Sequence, residues 1–307
     1  MKKISIIGAG HVGGATAMRI AESGLARVVL IDVVESVAKA KAFDLEDARY
    51  SIKTNSRIDG SGDMEQIDNS DIVIVTAGFS RKPGMTREDL LFKNSQVIST
   101  VAQGITRYTK DAIVIVVTNP LDAMTYVALK ATGFNRFKLF GMGSSLDSSR
   151  FANLISKKLF VSVEHIEALV IASHGEGMLP LSRLAKVRGK SLTELLDAND
   201  VVALEEKTRR RGAEIVSLYD TGSAFYGPSA ALFEIVETIL SGHPREIPVS
   251  VFLEGEYGVR DVCLGVPALI GSAGIEKIME LDLNPEEQKS FQHCAQSIKE
   301  SLKVLKL

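Results

Sequence analysis

Several short stretches of this chain carry residue types whose spacing could do chemistry. In "GAGHVGG", Gly8, Gly10 and Gly13 stand in G-x-G-x-x-G spacing with Ala9, His11 and Val12 between them. After an apolar strand and at the mouth of a helix, the first glycine lets the chain turn tightly. The second leaves bare backbone for a pyrophosphate, and the third lets helix and sheet close together. The helix N-terminus adds unpaired N–H groups and the positive end of a dipole. Asp32 ends "RVVLID", where a carboxylate bonds adenosine ribose hydroxyls and repels a 2'-phosphate, a choice of NAD over NADP. The glycine spacing alone is shared by methyltransferases and by chance glycine clusters, and a strand-end aspartate also has a plain solvent-facing reading.

Further along, "TAGFSRKPGMTREDL" sets Arg81 and Arg87 around Pro83-Gly84, "TNP" supplies Asn119, "LDSSR" supplies Asp147 and Arg150, and "SHGEGMLP" supplies His174. An imidazole titrates near neutrality and suits proton transfer. A guanidinium binds both oxygens of a carboxylate at once. Taken singly, the histidine has a structural reading and each arginine a surface salt-bridge reading.

The elements that must position these residues follow one pattern through residue 142. "KKISIIG", "RVVLID", "SDIVIVTAG", "DAIVIVVTNP" and the shorter "FKLFGMG" read as buried parallel strands. "HVGGATAMRIAESG", "ESVAKAKAFDLEDA" and "REDLLFKNSQVISTVAQGITRY" read as helices, with Gly24 ending the first. The alternation predicts an α/β fold: a doubly wound parallel sheet of Rossmann type over residues 1–142, with a mobile loop at 79–90. Longer helices and alternating strands predict an α+β substrate domain over 143–307. Its final helix is marked by Asn284, Pro285 and Glu287 as N-cap, first helical proline and capping-box acid. Phe291, Cys294, Ala295, Ile298, Leu302 and Leu305 then share one face, while "KTRRR" at 207–211 reads as the solvated side of a helix.

With 307 residues, 45% hydrophobic and 24% charged at a net charge of -2, the composition is that of an ordinary globular protein. It points to neither a nucleic-acid nor a membrane partner. The glycines at 8 and 10 cut the first apolar run short of a signal core, so a cytoplasmic location is expected. Cys263 and Cys294 share no spacing motif and read as packed thiols. The histidines His11, His165, His174, His243 and His293 form no metal-ligand spacing, so no bound metal is expected.

Taken together and in order, these motifs, with "TGSAFYGP" and "GEYGVRDVCLGVPA" toward the end, resemble the malate and lactate dehydrogenase family along essentially the whole chain. The branch they resemble is that of the lactate-dehydrogenase-like malate dehydrogenases. The resemblance implies hydride transfer between NAD and a 2-hydroxy acid. His174 then moves the hydroxyl proton, with Asp147 orienting its ring. Arg150 grips the C1 carboxylate, Arg87 polarises the reacting carbonyl, and Asn119 contacts substrate and cofactor, while Asn94, Val117 and Thr118 line the NAD site. Arg81 falls at the specificity position, where an arginine pairs with the second carboxylate of oxaloacetate and the lactate enzymes typically carry glutamine.

On this reading the loop holding Arg81 and Arg87 is a lid, with Pro83 limiting its freedom and Gly84 permitting its turn. Malate and oxaloacetate become the expected small-molecule partners, and the branch implies a homo-oligomer, dimer or tetramer. Two positions depart from or tune the pattern. Glu176 stands where the family usually has aspartate after the His-Gly pair, and Ala224 stands where the lactate enzymes place threonine. The rivals are a dehydrogenase of lactate or another 2-hydroxy acid, a non-catalytic NAD sensor, and a methyltransferase.

Overall fold

Apolar strand runs separated by helices become, in chain order, β1 (Lys2–Ile7), α1 (His11–Ser23), β2 (Ala26–Ile31), α2 (Glu35–Ile52), β3 (Ile58–Ser61), β4 (Ile72–Val75), α3 (Arg87–Tyr108), β5 (Ile113–Val116), α4 (Leu121–Thr132) and β6 (Leu139–Gly141). The computed structural model describes residues 1–80, 84–219 and 222–305. The six strands lie in the order β3-β2-β1-β4-β5-β6 and pair in parallel throughout. The chain therefore leaves β1 in one direction and returns at β4 to build in the other. Between the carboxyl ends of these two strands lies the crevice in which doubly wound sheets hold ligands.

The expected strands and helices are present, and two further elements join them. β3, "IDGS", carries a single buried apolar side chain, Ile58, too little for a periodicity to show. It is held as an edge strand by close approach of α2, since a Cβ on Gly60 would lie 2.4 Å from the Ala38 carbonyl oxygen. α4 follows directly on "TNP" and is buried along most of its length, so it lacks the polar face that marks an amphipathic helix. Gly24 is a left-handed C-cap at φ 70°. α3 begins at Arg87 behind a Thr86–Asp89 capping box, which makes residues 87–90 of the expected loop the first turn of a helix.

The second half continues with α5 (Ser144–Leu159), β7 (Ile166–Glu167), β8 (Val170–Ala172), β9 (Met178–Pro180), β10 (Lys186–Val187), β11 (Lys190–Ser191), α6 (Leu192–Leu195), α7 (Ala198–Tyr219), α8 (Tyr226–Ser241), β12 (Arg245–Glu254), β13 (Arg260–Gly271), β14 (Gly274–Ile278) and α9 (Pro285–Lys303). Its short strands β7, β10 and β11 form a small antiparallel sheet of their own, in the order β11-β10-β7, but its long strands do not stand apart. β12 pairs antiparallel with β6, β13 with β12, and β8 with β13, so one sheet runs through both halves. β6 would otherwise be an exposed edge of buried residues, and β12 covers it. The apolar core is likewise shared, with Ile4, Phe140, Val249 and Phe291 in one cluster.

α9 has the expected capping box and N-terminal proline. Phe291, Cys294, Ala295 and Leu302 are buried beneath it, with Ile298 and Leu305 partly so. The basic run lies on α7, where Arg209, Arg210 and Arg211 pair with Glu205, Glu206 and Glu214. Both cysteines are buried free thiols. Among the described residues, no helix is long and apolar enough to cross a membrane, and no group of three or more His, Cys, Asp or Glu side chains is placed to hold a metal.

Candidate active site

Where β1 hands over to α1, Gly8 takes φ 105°, and a Cβ there would lie 2.6 Å from the Ala77 nitrogen. A Cβ on Gly13 would lie 2.0 Å from the Gly8 carbonyl oxygen. Sterics of the protein itself thus require both glycines. Gly10 is different: its φ of -68° suits any residue, and a Cβ would meet nothing within 4 Å. The fold gives no reason for glycine at 10, whereas a phosphate resting on bare backbone does. Asp32 closes the turn, its Oδ2 accepting from the Ala9 N–H at 2.7 Å and its Oδ1 from the Val34 N–H at 3.0 Å. Ala9 and Val12 pack beneath the turn, and exposed His11 stacks on Phe225 with ring centroids 5.3 Å apart. These features fit the adenosine and pyrophosphate portions of NAD.

Lys41 was not expected here. From α2 its Nζ donates to the carbonyls of Ala9 at 2.6 Å and Gly10 at 2.7 Å. Burial pushes its ammonium below the usual range, against the opposing pull of Asp32. In "KAKAFDLED" the residue is indistinguishable from a solvated helix face, and no local signal marks it.

A second cluster forms where four separate segments meet. Asp147 lies in the first turn of α5, where the helix dipole favours a carboxylate. Its side chain is 0% exposed and bridges two partners: Oδ2 faces His174 Nδ1 at 2.7 Å, and Oδ1 accepts from Arg150 Nη1 at 3.1 Å. His174 and Arg150 are 14% and 12% exposed. Burial works to lower the His174 pKa, but the charge of Asp147 and its hydrogen bond outweigh it, and the imidazolium is favoured beyond its ordinary range. Just ahead of the histidine, Ala172 is held in left-handed backbone at φ 70°, a conformation that costs a non-glycine residue energy and recurs at functional sites. On the far side of the loop, Cys294 Sγ donates to the Gly177 carbonyl at 2.8 Å, so α9 braces the turn.

Asp122, in the first turn of α4, was also missed. Its Oδ2 accepts from the His174 backbone N–H at 2.8 Å and its Oδ1 from Ser250 Oγ at 2.6 Å. Burial pushes this carboxyl up, and the two hydrogen bonds oppose that.

The remaining expected residues divide by exposure. Asn119, exposed, follows β5 at the head of α4. Asn94 is wholly buried and knits two strand-end loops together. Its Nδ2 donates to the carbonyls of Asn119 at 2.6 Å and Phe79 at 3.1 Å, and its Oδ1 accepts from the Phe79 N–H at 2.8 Å. Val117 and Thr118 are buried as well, with Thr118 Oγ1 bonded to the Ala77 carbonyl at 2.7 Å. Arg87, 69% exposed at the start of α3, pairs with Glu176, 78% exposed, two residues past the histidine. Ala224 is half-buried. Arg81, Lys82 and Pro83 lie outside the described residues. Gly84 is at φ 82° in open space.

A six-strand doubly wound sheet with a glycine turn at its switch point defines a dinucleotide-binding α/β protein, and the His174–Asp147 pair is of a kind that can move a proton. Residues 2–141 match the lactate/malate dehydrogenase NAD binding domain, and residues 144–306 match the lactate/malate dehydrogenase alpha/beta C-terminal domain. The chain belongs to the lactate/malate dehydrogenase family. It is 44% identical over 307 residues to the malate dehydrogenase of Methanosarcina barkeri, covering 100% of each chain. Among solved structures, the malate dehydrogenase of Aeropyrum pernix is 42% identical with a TM-score of 0.95, over 98% of this chain and 97% of that one. The lactate dehydrogenase of Cryptosporidium parvum, complexed with lactic acid and nicotinamide adenine dinucleotide, is 35% identical with a TM-score of 0.96, over 99% and 98%.

Proposed function

We propose that the protein is an NAD-dependent malate dehydrogenase, interconverting malate and oxaloacetate. The observation that carries this reading is Asp147 holding both His174 and Arg150 in a chain of this family. NAD supplies the hydride acceptor when bound. Because Nδ1 of His174 faces Asp147, Nε2 is the free nitrogen, and it takes the C2 hydroxyl proton on oxidation and returns it on reduction. Asp147 fixes the ring and favours the imidazolium that forms. Arg150 holds the C1 carboxylate as a planar fork.

Arg87 polarises the carbonyl, and Arg81 pairs with the second carboxylate, the group that pyruvate lacks. Gly8, Ala9, Gly10, His11, Val12, Gly13 and Asp32 bind the adenosine and pyrophosphate portion, and Asn119 meets both ligands. Val117, Thr118 and buried Asn94 shape the nicotinamide end from behind. Residues 1–142 serve as the cofactor domain and 143–307 as the substrate domain, with 79–90 closing over the substrate. Val37, Phe43 and Tyr50, exposed on α2, support association into a homo-oligomer, which light scattering tests, and we infer a cytoplasmic location for it.

The deciding experiment is initial-rate NADH oxidation with oxaloacetate and with pyruvate, on wild type and Arg81→Gln. Wild type prefers oxaloacetate. The variant loses about 2 to 5 kcal/mol of that preference if closure desolvates the pair, roughly 30-fold to several-thousand-fold. A pyruvate preference in wild type moves the protein to lactate. Turnover of neither substrate overturns the reading.

A further inference from the structure

Lys41 crosses from α2 to the glycine turn and bonds two carbonyls there, Ala9 at 2.6 Å and Gly10 at 2.7 Å. The Gly10 carbonyl already accepts from the Gly14 N–H at 3.0 Å, in the first turn of α1. Relief of an unpaired acceptor therefore does not account for the second contact.

α1 makes room for the lysine. Gly14 lies inside the helix, where glycine is a poor helix former, and it is not among the residues at positive φ. A Cβ on Gly14 would lie 3.2 Å from both Cδ and Nζ of Lys41, tighter than side chains ordinarily pack. The missing side chain is what lets the ammonium reach both carbonyls, so the second glycine of "VGG" belongs to the lysine as the first belongs to the turn.

The consequence lies on the opposite side of the peptide planes. In a trans peptide the C=O and the following N–H point in opposite directions. Fixing the Ala9 carbonyl fixes the Gly10 N–H, and fixing the Gly10 carbonyl fixes the His11 N–H. These N–H groups stand at the start of α1, where no intrahelical acceptor is available and where a bound anion finds its donors.

We propose that Lys41 is a positioning residue for the cofactor's pyrophosphate: by holding the Ala9 and Gly10 carbonyls, it aims the Gly10 and His11 N–H groups at the phosphate oxygens. This rests on the turn binding a dinucleotide. The bracing uses N–H donors and does not depend on charge. Burial lowers the lysine pKa, but even a neutral amine keeps a donor for each carbonyl. Ligands that carry the pyrophosphate should depend on Lys41, and adenosine, which has no phosphate, should not.

Lys41→Met, which keeps the length of the stem and removes the donors, tests this. NADH binding is followed by fluorescence titration, and ADP-ribose and adenosine by their displacement of NADH. In the variant NADH and ADP-ribose weaken by about tenfold, while adenosine stays within about twofold. Gly14→Ala crowds the ammonium off the carbonyls and weakens the same two ligands by less. It decides the question if Lys41→Met does not fold.

A folded Lys41→Met that binds ADP-ribose as wild type does overturns the proposal. Equal weakening of ADP-ribose and adenosine also overturns it, since the lysine would then support the turn as a whole. So does an unchanged ADP-ribose affinity in Gly14→Ala when the first variant is lost. A wild type that binds neither NADH nor ADP-ribose overturns the dinucleotide reading itself, which separates the two failures.

Discussion

The glycine turn after β1 and the cluster around His174 are built on opposite principles. In the turn, backbone atoms do the work, and the residues that shape it are mostly neighbours in sequence: Gly8 and Gly13 touch each other's backbone, and Asp32 accepts from Ala9. In the cluster, titratable and charged side chains do the work, brought from α4, α5 and the loop after β8 and buried together, with a serine hydroxyl of β12 bonded to one of them. The turn is governed by space and the cluster by charge balance. A substitution in the first should therefore disturb cofactor binding while leaving proton transfer alone, and a substitution in the second should do the reverse.

The largest break in this symmetry is His174→Asn. Loss of a general acid–base group lowers kcat by about 10²- to 10⁴-fold, while NADH affinity, followed by fluorescence titration, stays within a few-fold. A comparable loss of NADH binding would show that the two regions are not separable. The pH dependence has a definite sign. Because the charge and hydrogen bond of Asp147 hold the His174 pKa above its ordinary value against burial, oxaloacetate reduction persists above about pH 6.5 and falls as pH passes through the raised value. Malate oxidation rises through the same value.

Stability follows the imidazolium. A pKa raised on folding makes a contribution that is complete below about pH 6.5 and is lost as pH rises through the folded-state value. His174→Asn removes that slope from the thermal midpoint; a slope that survives would assign it to another group.

Gly13→Ala breaks the other side. The added Cβ would sit 2.0 Å from a backbone oxygen, so helix and turn must part, with a cost of about 1 to 3 kcal/mol and NADH binding weakened by about tenfold or more. Gly10→Ala sharpens the contrast, because its Cβ has free space and an ordinary φ. It leaves the thermal midpoint nearly in place and weakens NADH binding alone. If both variants melt alike, Gly10 has a structural role and the phosphate-cradle argument loses its support.

How much was legible in the sequence follows the same divide. Gly8, Gly10, Gly13 and Asp32 could be read because their chemistry depends on strand, turn and helix in immediate succession. The helix caps at Gly24 and at Asn284, Pro285 and Glu287 could be read for that reason too. The parallel strand runs announced themselves by continuous burial. β3 did not, having one buried side chain, and neither did the joining of β6 to β12, which depends on two edges more than a hundred residues apart. His174, Asp147 and Arg150 were ambiguous one by one and became readable only as an ordered set resembling a family. Lys41, Asp122 and Ser250 had no local mark, since a lysine on a helix, an acid near a helix start and a serine in a strand are commonplace. Their contacts exist only in three dimensions.

The smallest expected effect lies between the two regions, at Glu176→Asp. The carboxylate of Glu176 pairs with Arg87 across the gap from α3 to the histidine loop, both side chains being mostly exposed. Exposed pairs contribute about 0 to 1 kcal/mol, so a shorter acid changes KM for oxaloacetate by at most about fivefold. The ratio of variant to wild type should approach one as salt rises and screens the pair. Since Asp147, not Glu176, bonds the ring of His174, the pH limb of kcat/KM should stay where it is. A displaced limb would instead put Glu176 among the charges that set proton transfer, and a salt-independent change in KM would mean that it acts by shape rather than by holding Arg87.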